Sequence, residues 1–169
     1  MFSRKMKILM IAVGCAAALS ACTKSNIVQP ESVIEPDFNM YNNIELDPEQ
    51  LQEDVEDVWL NETEFPMGAA FDFEIFEDQA LVDMSVVVKD GTSPEEASWY
   101  ADQVVKGFND QVVMQDFSYG EASEDSFGGY FQDREIHLKI YEESQYEADG
   151  APMYEVTVPK DTYMTFDIS

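Results

Sequence analysis

The residues of this 169-residue chain that could carry chemistry are few in kind: one histidine, two cysteines and 35 carboxylates. His137 lies between Glu135 and Lys139 on the polar side of an alternating stretch whose other side is Ile136, Leu138 and Ile140. An imidazole among acids can act as a general base or a metal ligand, and the same residue on the wet face of a strand can simply be solvated. No GxSxG, HExxH, glycine-rich phosphate loop or EF-hand spacing accompanies it. Gly128-Gly129 between aromatics marks a bend rather than a ligand cradle. Asp and Glu are so frequent that pairing alone cannot nominate a glycosidase dyad. The expectation is a non-enzymatic binding or interaction domain without a cofactor. Two alternatives stand beside it: a divalent-cation-binding protein, and a hydrolase using His137 with its acidic neighbours, which would need a concave pocket around that residue.

The cysteines lead elsewhere. Arg4, Lys5 and Lys7 open the chain, an apolar run extends from Ile8 to Leu19, and Leu19-Ser20-Ala21-Cys22 closes it. This arrangement resembles the signal peptide and lipobox of a bacterial lipoprotein. The resemblance implies diacylglyceryl transfer to the Cys22 thiol, cleavage after Ala21 and acylation, typically with a palmitate-like chain, of the new amino terminus. It thereby implies anchorage in the cell membrane or envelope on the extracytoplasmic side. An uncleaved transmembrane helix is the competing reading, but the Ile8 to Ala21 run is about 14 residues against the roughly 20 that a bilayer requires. With Cys15 removed and Cys22 lipidated, the rest of the chain holds no thiol for a disulfide, a thiolate metal site or a nucleophile.

Charge narrows the partners. The chain has 9 Lys+Arg against 35 Asp+Glu, a formal net charge of -26. Loss of residues 1–21 would remove three of the bases and none of the acids. Nucleic-acid binding is excluded on this balance, because phosphate contacts need clustered Lys and Arg. Basic proteins or peptides and cations are the partners such a field attracts, while solubility in a cation-rich medium would explain it equally.

These residues need elements to position them. The chain divides into residues 1–21 as signal peptide, 22–45 as lipidated cysteine and tether, and 46–169 as one acidic α+β domain. Pro30, Pro36 and scattered Asn and Ser make the second part a spacer, although Ile27, Val33, Ile34, Phe38, Met40 and Tyr41 would let part of it dock. From Leu46 to Asn61, Asp47 as N-cap, Pro48 at N1 and Gln50 at the reciprocal capping-box position start a helix with Leu51, Val55, Val58 and Trp59 on one face. Phe71, Phe73 and Ile75, then Val82, Met84, Val86 and Val88, alternate as a hairpin with one oily face. Ser93-Pro94-Glu95-Glu96 is a capping box opening a second helix, with Ala97, Tyr100, Ala101, Val104, Val105 and Phe108 inward and Gly107 weakening its end.

Beyond it the spacing predicts a short strand near Phe117 to Tyr119, an acidic loop, a strand at Ile136 to Ile140, a polar turn region from Glu142 to Pro152, and strands at Tyr154 to Val158 and Met164 to Ile168. The expected order is α-β-β-α-(β)-β-β-β: a mostly antiparallel sheet of about five strands with two helices packed on one face. The opposite face would carry Asp72, Glu74, Asp83, Glu135, His137, Lys139, Tyr141, Glu155, Tyr163 and Asp167. Crowded carboxylates repel one another, and a cation or basic partner would relieve them. This face, or the acidic loop at 121–125, is the candidate binding surface.

Overall fold

In the computed structural model, which describes residues 44–168, local sequence signals start each helix. Asp47 accepts hydrogen bonds from the backbone N–H groups of Glu49 and Gln50 at the head of α1 (Pro48–Trp59). Gln50 does not complete a capping box: its side chain donates to Asp54, and the Asp47 N–H is taken instead by Gln115. In α2 (Pro94–Gln115) the box is reciprocal between Ser93 and Glu96. Val112 to Met114 continue this helix.

The strands are β1 (Gly68–Phe76), β2 (Leu81–Val88), β3 (Glu135–Glu142) and β4 (Tyr154–Val158), in sheet order β1-β2-β3-β4. β1 and β2 form the expected antiparallel hairpin, and β3 pairs antiparallel with β4. The two central strands are parallel. The fold is therefore α+β, with four strands in a mixed sheet among the described residues rather than about five in a mostly antiparallel one. The cause is the crossover. α2, about 33 Å long against the ~26 Å of β2, together with residues 116–134 returns the chain to the start of that strand. β3 then begins beside Leu81, its first N–H bonded to the carbonyl of Ala80.

Two expected strands are absent. After α2 the chain turns at once, with Asp116 accepting from the backbone of Ser118 and Tyr119, and Phe117 points into solvent. Residues 164–168 are extended but unpaired, because the Phe166 carbonyl accepts the Ser98 hydroxyl of α2 and the Phe166 ring stacks on Phe127. One α-helix was not foreseen, the single turn α3 (Glu143–Glu147) inside the polar turn region, nor was a 3-10 turn at Gly129–Phe131.

The core lies between the sheet and α1 and α2. Val82, Met84, Val86, Ile136, Leu138 and Ile140 from the central strands meet Leu51, Val55, Ala97, Ala101, Val104, Val105 and Phe108 from the helices. Gly107 sits within α2 rather than at its end, and it marks where α1 crosses: a Cβ there would run into the Trp59 ring. The indole donates to the carbonyl of Gln103, and Tyr100 Oη donates to the Trp59 carbonyl at 2.8 Å.

The expected signal peptide at 1–21, the expected lipidation site Cys22 and the expected tether up to residue 43 lie outside the described residues. Among the described residues no helix is long and apolar enough to cross a membrane.

Candidate binding face

Side chains alternate across a strand, so burying Val82, Met84 and Val86 turns Asp83 and Ser85 to the other side. Registration then sets the rows. Glu74, Asp83, His137 and Thr157 stand abreast across the four strands, and Asp72, Ser85, Lys139 and Glu155 form the next row. Lys139 Nζ lies 3.1 and 3.0 Å from the two carboxylate oxygens of Asp83. His137 Nδ1 is 3.0 Å from the same Asp83, and its Nε2 is 2.8 Å from Glu155 on β4. Four residues from three strands thus form one connected network.

The rest of the predicted face is placed around it. Asp72 and Glu74 on β1 line a shallow depression with Asp83, Ser85 and Lys139. Tyr141 stands at the far end of β3 against Tyr146, ring centroids 5.3 Å apart. Glu135 is exposed at the start of β3, opposite Leu81, and takes no part in the network. Two residues expected on this face are elsewhere. Tyr163 lies beside α2, its ring 4.6 Å from Lys106 Nζ and 5.0 Å from Phe127. Asp167 belongs to the unpaired C-terminal stretch, and both assignments had required a further strand in the sheet.

Sequence spacing did not single out Tyr146. Tyr146 projects from α3, which lies over the end of this face where Val87 is buried, and its hydroxyl reaches Asp72 at 3.4 Å. The only local signal is an aromatic residue inside a polar run. The Ser144 N–H at the head of α3 is held by Asp90, 54 residues upstream, a contact no window along the chain contains. Ser85 was legible in the alternation of β2.

Electrostatics follow from the packing. Burial works against the ammonium of Lys139, yet the hydrogen bond and charge of Asp83, with Tyr141 and Glu155 adding, raise its pKa above the ordinary lysine value. The Tyr146 hydroxyl is likewise raised, by burial and then by Asp72. Both nitrogens of His137 face carboxylates, and His137 stands beside rather than in the depression lined by Asp72, Glu74, Asp83, Ser85 and Lys139. Among the described residues no group of three or more His, Cys, Asp or Glu is placed to hold a metal ion. What this arrangement offers is a broad acidic surface whose lysine, Lys139, is already paired with Asp83. The acidic loop is separate: Ser123 and Ser126 form a short bridge, and Asp110 of α2 accepts the Ala122 N–H.

Comparison of the chain with protein-family models, curated proteins and solved structures finds no match.

Proposed function

We infer that this chain is a lipid-anchored, non-enzymatic binding domain of the bacterial cell envelope, displayed on the extracytoplasmic side and taking basic partners on its acidic sheet face. The observation that carries the reading is Leu19-Ser20-Ala21-Cys22 at the end of a basic-then-apolar leader. Two or three acyl chains on one cysteine supply lasting attachment where a single chain is marginal. Support for a basic partner comes from Asp72, Glu74 and Glu155, whose carboxylates surround only Lys139 and His137 on that face. Metabolic labelling with a palmitate analogue tests the anchor: the wild-type chain takes the label and fractionates with membranes, and Cys22→Ser loses both. Binding of a basic protein that survives the combined change Asp72→Asn, Glu74→Gln and Glu155→Gln without weakening would move the partner off this face.

A further inference from the structure

β1 is one of the two edge strands of the sheet. Among the described residues β1 pairs with β2 only. Gln52 of α1 donates to the Phe71 carbonyl at 2.7 Å, which shows that Phe71 turns its backbone away from β2. In an antiparallel strand the N–H and C=O groups of successive residues point to alternate sides. Phe73 and Ile75 therefore also direct theirs outward, and no helix residue takes them. Alongside runs a groove of about 600 Å³ between this edge and the first turns of α1, with Pro48, Gln52, Phe73 and Ile75 as its apolar and amide lining. Phe73 and Ile75 are only half-buried. Carboxylates rim it on both sides, Glu49 and Glu53 from α1 and Glu74 from β1.

We propose that this edge captures an extended segment of another protein that alternates apolar and basic residues, adding it as a fifth strand antiparallel to β1. This rests on the basic-partner reading above and extends it to a specific mode of recognition. Main-chain bonds to Phe73 and Ile75 supply affinity, and alternate side chains supply selection. Residues opposite Phe73 and Ile75 form the hydrogen-bonded pairs and drop their apolar side chains into the groove. Their neighbours fall on the open face beside Asp72 and Glu74, where Lys or Arg is complementary. Gln52 ends the addition at Phe71, so the captured stretch is short.

Charge also selects against other occupants. A second copy of this chain would bring Asp72 and Glu74 against themselves, a common protection of sheet edges from self-pairing. The chain's own residues 22–43 carry Lys24 against Glu31, Glu35 and Asp37, and Pro30 and Pro36 lack the N–H a ladder needs.

The test uses the full-length protein in detergent micelles and a short synthetic peptide alternating valine and lysine. Saturable binding is expected, with shifts at the amides of Phe73 and Ile75. N-methylation of the valine amides should weaken it about tenfold or more, since at least two hydrogen bonds are lost. Ile75→Pro should do the same, because the N–H it removes points away from β2. Equal binding by the N-methylated peptide would overturn the strand-addition proposal while leaving the basic-partner reading standing. Absence of binding by either peptide, or binding only after residues 23–43 are deleted, would also overturn it, the latter by showing the edge already occupied by this chain.

Discussion

Lys139 chelates Asp83 diagonally across the parallel pair of strands, its ammonium bonded to both carboxylate oxygens while His137 holds one of them from the same strand. The open face is thus pinned at its centre by a cation that belongs to the fold, and the acids around it are left to interact outward.

Replacing that cation by an isostere without charge should release Asp83. Lys139→Met is expected to lower stability by about 1 kcal/mol in dilute buffer, the upper range for a pair that is roughly a quarter exposed, and by less at high salt. Urea unfolding measures it, as a lower midpoint with an unchanged slope. The double change with Asp83→Asn should cost less than the sum of the single changes.

Stability should fall in alkali once the pH passes the ordinary tyrosine and lysine values. Burial pushes the hydroxyls of Tyr100 and Tyr130 well above the ordinary value of 10.0, and Tyr146 and Lys139 are also raised. The unfolded chain then releases these protons at lower pH than the folded one. Their contribution is complete below the ordinary values and is lost as pH rises toward the folded ones, at about 1.4 kcal/mol per pH unit for each fully buried group. Stability measured from pH 8 upward should decline beyond pH 10, and Tyr100→Phe should make the decline shallower.

Gly107→Ala would raise helix propensity in most helices. Here the added methyl meets the Trp59 ring, with no room to retreat while the indole holds the Gln103 carbonyl. A net loss of about 1–3 kcal/mol is expected from overpacking. Pairing it with Trp59→Leu should restore part of that loss, and thermal unfolding of the three variants decides it.

Asn109 is fully buried and holds the loop that follows α2. Its side chain donates to the Gly120 carbonyl and accepts the Tyr130 N–H. Gly128, at φ +100°, leaves the space it fills. Asn109→Leu would orphan the buried Tyr130 N–H, while the Gly120 carbonyl keeps the Gly129 N–H, at a cost of about 1–3 kcal/mol. Amide exchange from Gly120 to Phe131 should accelerate before the sheet is affected.

Where a signal is local, the sequence carries it. The N-caps at Asp47 and Ser93, the apolar alternation of Val82 to Val88 and Ile136 to Ile140, and the inner face of α2 all appear as spacing predicts. Those same alternations put Asp72, Glu74, Asp83, His137, Lys139 and Glu155 on one face. What spacing does not contain is which strand lies beside which. The parallel pairing of β2 with β3 follows a long connection that returns the chain to the start of β2, and the head of α3 is held by Asp90. Aromatic residues misled for a related reason: Phe117 and Phe166 have strand-like neighbours, but one turns to solvent and the other spends its carbonyl on Ser98.

The parallel centre of the sheet also dictates an order of assembly. Asp83 meets His137 across 54 residues of chain, and closing so long a loop costs entropy before any central contact repays it. A chain emerging from its amino terminus can close the β1 and β2 hairpin early, but Val82, Met84 and Val86 have no second strand to lie against until β3 has followed. Through that interval the oily side of the hairpin depends on α1 and α2 for cover. The domain consequently completes its sheet only once β3 and β4, both within the final 35 residues of the chain, are available to pair.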